Sequence, residues 1–135
     1  MVKSTAIYQG ELHCESTHGP SGKTIETDAP TDNKGKGQAF SPTDLVGAAL
    51  STCILTTMAI VAERDGVEFK DAKAECEKVM VDTPKRRIGE LRLKITLPSS
   101  IPLDYRKKIE HIAEACPVHR SLHPDLKVPV EFIYV

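Results

Sequence analysis

The chain has 135 residues, 18 Lys plus Arg against 19 Asp plus Glu, a net charge of −1 and only 4% aromatic residues. That length suits a single domain over residues 1–135, able to bury roughly two-thirds of its unfolded surface. Near-neutrality removes the electrostatic case for a nucleic-acid or anionic-membrane partner, and the absence of tryptophan leaves an aliphatic core.

The first 28 residues read as short strands: "STAIYQGELHC" breaks at Gly10, and "HGPSG" at 18–22 punctuates the chain before "KTIET". The polar stretch "DAPTDNKGKGQ", 28–38, is a loop, and loops of that length in small domains are functional or mobile. Ser41 then suits an N-cap, Pro42 the first helical position and Asp44 the return half of a capping box, with Phe40 and Leu45 as a hydrophobic staple. The helix should run to about Arg64 and end at Gly66 in a left-handed conformation. Its middle is apolar all round, which predicts a helix inside the protein. Residues 45–62 approach bilayer-spanning length, but Gly47, Ser51, Thr52, Thr56 and Thr57 interrupt them, favouring a buried helix over a membrane span.

Beyond the helix, "DAKAECEKVMVD" and "GELRLKITLP" read as strands, joined through the basic "PKRR" at 84–87 as a solvated turn. The second alternates at Leu91, Leu93, Ile95 and Leu97, facing a core on one side. "PLDYRKKIEHIAEAC" is an amphipathic helix with Tyr105, Ile109, Ile112, Ala113 and Cys116 on its apolar stripe, and "KVPVEFIYV" is a closing strand whose Pro129 suggests an edge. This order predicts an α+β fold, an antiparallel sheet wrapped on a long central helix. The N-terminus "MVKSTAIYQG" lacks the apolar run of a signal peptide, so a cytoplasmic protein is expected. Its four cysteines, 14, 53, 76 and 116, are then free thiols, metal ligands or transient redox partners.

Taken alone, Cys53 in "ALSTCILTTM" reads as core packing. It lies twelve residues past the cap, about 18 Å along the axis, beyond the reach of its own helix dipole. Cys116 differs because Pro117 follows it, ending one helix there and allowing another turn through "PVHRSL". A thiol capping that turn faces backbone N–H groups, an environment that lowers thiol pKa. Cys14 and Cys76 sit in strand-like segments as fillers. A metal reading uses Cys116, His119 and His123 of "CPVHRSLH" at i, i+3 and i+7, ligands that zinc accepts.

Three features together carry a resemblance. They are the capped opening "FSPTDLVGAALSTC", the "ACPV" 63 residues after that cysteine, and the surrounding order that includes "SGKTIETDAP" and "RRIGELRLKITLP". The chain resembles the OsmC/Ohr family of small thiol-dependent hydroperoxide reductases, most nearly its less-characterised OsmC-like branch. The resemblance implies that Cys53 is the peroxidatic thiol and Cys116 the resolving one. It further implies an intertwined homodimer with sites at the subunit interface, an organic hydroperoxide substrate and an external thiol or dithiol reductant, with no bound cofactor. Hydroperoxide-resistance members also carry an N-terminal arginine and a glutamate ten residues before the first cysteine. Here no arginine precedes Arg64 and position 43 is threonine, which leaves Lys23, His18 and Arg87 as candidate cations beside Cys53.

On this reading Cys53 attacks the distal oxygen of a hydroperoxide, Cys116 condenses with the sulfenic acid and a thiol reductant restores both. The aliphatic surroundings of Cys53 oppose its ionisation, so a nearby cation is expected. Two other classes stand beside this one: a non-catalytic small-molecule binding protein of the same scaffold, and the metal-binding protein built on Cys116, His119 and His123.

Overall fold

The computed structural model describes residues 1–135, which divide into two compact units, Met1–Leu45 and Val46–Val135. In the first, β1 (Ser4–Gly10), β2 (His13–His18) and β3 (Thr24–Asp28) form an antiparallel sheet in the order β1-β2-β3. The turn expected at Gly10 is present, with Gly10, Glu11 and Leu12 all at positive φ and the β1–β2 register shifting beside them. Ile7, Tyr8 and Ile25 are exposed, and the unit's buried residues, Asp28 and Ser41, are polar. Hydrogen bonds therefore carry much of its order.

Asp28 is their hub. One carboxylate oxygen meets His13 Nδ1 at 2.6 Å, and the other accepts from the Gln38 amide at 2.9 Å. Its own amide donates to Phe40 O at 3.1 Å, and Ala29 N donates to Leu12 O at 3.0 Å. The long polar loop is thus tied at both ends, with a 3-10 turn at Thr31–Asn33 inside it. Gly35 lies so close to Ala29 that a Cβ would fall 1.6 Å from the Ala29 carbonyl oxygen, so only glycine fits.

The helix α1 spans Pro42–Arg64. Its capping box is reciprocal: Asp44 N donates to Ser41 Oγ at 3.0 Å, and Ser41 N donates to Asp44 Oδ2 at 2.9 Å. At the other end Gly66 takes φ +69, Gly66 N donates to Glu63 O, and Val67 N donates to Ala62 O. Those two bonds make a Schellman cap. Burial, however, is confined to one stripe, Gly47, Leu50, Ser51, Ile54, Met58 and Ala62. Ala49, Thr52, Thr56 and Ile60 remain exposed. The all-round burial expected from the apolar sequence is not reached within one chain, since elements packed on one side of a helix cover one face only.

The hydroxyls that interrupt this helix are satisfied inside it. Ser51 donates to Gly47 O at 2.9 Å, Thr52 to Ala48 O at 2.9 Å and Thr56 to Thr52 O at 2.8 Å. By length and composition α1 could cross a membrane; in this fold its buried stripe joins the core.

The second unit holds β4 (Lys73–Val81), β5 (Arg87–Leu97) and β6 (Val130–Tyr134), with α2 (Leu103–Ala113) and the short α3 (Pro117–Ser121) between the last two strands. β4 and β5 pair antiparallel, and Leu91, Leu93, Ile95 and Leu97 of β5 are buried as the alternation predicts. β6 is an edge strand but joins β5 in parallel. The sheet is therefore mixed, because the helical crossover returns the chain to the same end before it pairs. Core residues come from α1, from β5, and from Ile101, Ile109, Ala113 and Cys116. Where the stripe 105–116 suggested one helix, α2 stops at Ala113: Glu114 N and Ala115 N turn back to His111 O and Ile112 O.

Two polar clusters fasten α2. Asp65, just past α1, accepts from Tyr105 Oη at 2.7 Å and Lys108 Nζ at 2.6 Å. Tyr134 donates to Glu110 Oε1 at 2.8 Å, and the Arg106 guanidinium stacks 3.9 Å from its ring centroid.

Candidate active site

Cys53 sits mid-way along α1, partly exposed and beside the buried stripe. Cys116 is fully buried at the junction of α2 and α3. It has φ −59 and ψ 133, non-helical values imposed by the proline that follows. It is the N-cap of α3, its sulfur accepting the His119 amide at 3.4 Å with Pro117 in the first turn. The capping role read from "ACPV" is present.

The fold brings the two thiols near enough to influence each other's ionisation, and both are free. The Val118 amide and the Thr57 hydroxyl also favour the Cys53 thiolate. Burial is the largest single influence on Cys53 and pushes its thiol up. The donors Cys116, Val118 and Thr57 together outweigh it, leaving the thiol below its ordinary value. On Cys116 burial also pushes up, the neighbouring Cys53 pushes further, and the His119 and Val118 amides only partly compensate, so this thiol is raised. The two thiols are thus displaced in opposite directions, Cys53 downward and Cys116 upward.

This reverses one expectation. The cap was expected to lower the Cys116 thiol; burial overrides the cap. Nor is a cation what draws Cys53 down, because the donors acting on it are a thiol, an amide and a hydroxyl. Arg87 starts β5 exposed, donating to the neighbouring Ile88 carbonyl at 3.4 Å. His18 and Lys23 are exposed in the N-terminal unit, and His18 Nδ1 lies 2.6 Å from Ser21 Oγ. Asp44 is engaged in the capping box and Thr43 Oγ1 lies 3.1 Å from Ser41 Oγ.

Cys116, His119 and His123 do not converge, and no group of three or more side chains is arranged to hold a metal ion. The Cys116 contact with residue 119 is to its backbone, and His123 Nδ1 accepts the Asp125 amide at 3.1 Å. Cys76 packs where Gly47 lets the helix approach β4, and burial raises its thiol. Cys14 lies on β2 of the N-terminal unit. A cavity of about 190 Å³ opens between α2, α3 and β6, with Ile54, Val130 and Phe132 among its walls, but neither Cys53 nor Cys116 lines it.

The sequence profile described as OsmC-like protein matches residues 35–131, a stretch that includes both thiols and well over half of the chain. The chain belongs to the OsmC-like family. The fold of this OsmC-like protein overlays a crystal structure from Psychrobacter arcticus 273-4 at a TM-score of 0.91, with 39% identity over 98% of this chain and 96% of that one. That relative is provisionally described as an osmotic stress induced and detoxification response protein. The organic hydroperoxide resistance protein OsmC of Legionella pneumophila overlays at 0.81 with 16% identity, covering 98% and 96% of the two chains. OhrB of Bacillus subtilis, an organic hydroperoxide resistance protein, overlays at 0.73 with 19% identity, covering 98% and 97%. The last two comparisons establish the shared fold. Among curated protein sequences, none matches this chain.

Thr57 and Val118, which lie beside Cys53 and favour its thiolate, went unnoticed in the sequence. Thr57 carried a usable signal, since i+4 spacing places it on the face of Cys53. Val118 carried none: its amide reaches Cys53 only because the chain returns through β4, β5 and α2.

Proposed function

We propose that this protein is a thiol-dependent peroxidase that reduces organic hydroperoxides to alcohols through Cys53 and Cys116. The observation that carries the reading is the pair of free neighbouring thiols, displaced in opposite directions, with the partly exposed member the more acidic. The Cys53 thiolate attacks the distal peroxide oxygen; the O–O bond breaks, and the departing alkoxide takes a proton to leave as the alcohol. Cys53 becomes a sulfenic acid. Cys116, deprotonated, attacks that sulfur and expels hydroxide, giving a disulfide. Two equivalents of an external thiol, or one dithiol, reduce it and are themselves oxidised to a disulfide. Names borne by structural relatives, among them organic hydroperoxide resistance proteins, support the substrate class.

A homodimer in the cytoplasm is part of the proposal, with no nucleic-acid or membrane partner. The uncovered stripe of α1 and the exposed Ile7, Tyr8 and Ile25 are apolar surface for a second copy. Turnover of cumene hydroperoxide by the purified protein, with dithiothreitol far in excess, tests the function. Many equivalents should be consumed; Cys53→Ser should abolish consumption, and Cys116→Ser treated with peroxide in the absence of reductant should stop at the Cys53 sulfenic acid without forming the disulfide. No turnover by the wild type would leave a binding protein on the same scaffold.

A further inference from the structure

The cavity of about 190 Å³ between α2, α3 and β6 has a lining of two kinds. Ile54 and Ala113 are buried, Val130 and Phe132 are partly buried, and together they make an apolar wall. Glu110 of α2 and Glu114 at its C-cap also line the cavity, with His119 of α3 as the third polar residue. Carboxylates four residues apart on a helix repel, and no Lys or Arg lines this cavity. Arg106, one turn before Glu110, gives its guanidinium donors to Ile101 O and Ser99 O at 3.3 and 3.2 Å, and Lys108 Nζ lies 2.6 Å from Asp65 Oδ2. Glu110 Oε1 accepts from Tyr134 Oη at 2.8 Å, which fixes the carboxylate and leaves Oε2 able to accept from a ligand.

We propose that this cavity binds a small organic cation, an ammonium group carrying one ring or a short alkyl chain. The charge sits at Glu110 and Glu114, and the hydrocarbon lies against Ile54, Ala113, Val130 and Phe132. The carboxylates set the sign of the charge, since an ammonium donates charge-assisted hydrogen bonds to them. The apolar wall sets the rest of the molecule. A bare metal ion needs several protein donors around it, and no group of three or more His, Cys, Asp or Glu is arranged to supply them. Volume sets the size: a cavity of about 150 Å³ takes one benzene ring, whereas drug-sized ligands occupy about 300 Å³ or more. The inference is independent of the peroxidase reading, because neither Cys53 nor Cys116 lines the cavity.

Benzylamine is the probe, titrated into the full chain carrying isotope-labelled methyl groups and followed by NMR at Ile54, Ala113 and Val130. Saturable shifts at these methyls are expected, with benzyl alcohol, its neutral analogue, binding about tenfold more weakly. Glu110→Gln keeps an oxygen for Tyr134 and removes the charge. It should weaken benzylamine about tenfold and leave benzyl alcohol unchanged, with a thermal melt to show that the variant is folded. Glu114→Gln, at a more exposed position, should weaken benzylamine roughly twofold to fivefold. The proposal is overturned if the wild type shows no saturable shift at these methyls up to about 10 mM benzylamine, if shifts fall only on other residues, or if benzylamine and benzyl alcohol bind alike. These three outcomes are read on the wild type, so they decide the matter even where Glu110→Gln does not fold.

Discussion

A cysteine in an apolar helix is ordinarily a poor nucleophile, because burial penalises the thiolate. At Cys53 that penalty is present and is the largest single influence, yet three short-range donors exceed it. At Cys116 the same kind of burial wins, although the residue caps a helix. Two neighbouring thiols are thus made unlike by how deeply each is buried and by the polar groups beside each sulfur. The expected consequence is an order of modification: as pH is raised on the reduced protein, Cys53 should be alkylated first and Cys116 only at higher pH. Peptide-level mass spectrometry after brief exposure to iodoacetamide reads this directly. Modification of Cys116 before Cys53 would contradict this order of acidity.

At the scale of elements, the loop between β3 and α1 is held by a titratable latch. Asp28 is buried and bonded to His13, whose other ring nitrogen lies 3.3 Å from Glu26 Oε1. The His13 bond to Asp28 is the main cause that raises the histidine and lowers the carboxylate. The signs follow from linkage. The His13 contribution is complete below its unfolded pKa and fades as pH rises through the raised folded value. That of Asp28 is complete above its unfolded pKa and fades as pH falls through the lowered one. The latch is therefore strongest between about pH 4 and about pH 6.5, the unfolded values of the two groups. Amide exchange at Gln38, which donates to Asp28 Oδ2, should be most protected in that window after correction for intrinsic rates. His13→Gln should remove the fading on the alkaline side; unchanged protection in that variant would show that the histidine does not hold the loop.

For the whole molecule the most informative surface is apolar. Ile60 on α1 is 63% exposed, on the face away from the buried stripe. A single chain thus leaves apolar side chains of its longest helix in water, which association with a second copy would remove at roughly 25 cal/mol per Å². Light scattering of the eluting protein should give about twice 14.8 kDa at micromolar concentration, and Ile60→Glu should shift it toward the monomer. A wild type that elutes as a monomer would refute the dimer.

Local features were legible from residue order alone. Ser41, Pro42, Asp44 and Gly66 mark the ends of α1, Leu91 to Leu97 alternate as β5 does, and Pro117 forces Cys116 into a cap, because each depends on interactions within a few residues. The α+β class followed from their succession, and the family resemblance singled out Cys53 and Cys116. Residue order could not show that β6 would pair in parallel, that only one stripe of α1 would be covered, or that Cys53 would be the more acidic thiol. Those outcomes depend on groups far apart in the chain arriving at the same place. The Val118 amide acts on a sulfur that precedes it by the length of two strands and a helix, and desolvation of either thiol is set by the whole core around it. Tertiary structure alone decided the chemistry of the pair, because burial and long-range hydrogen bonds are properties of the packed molecule.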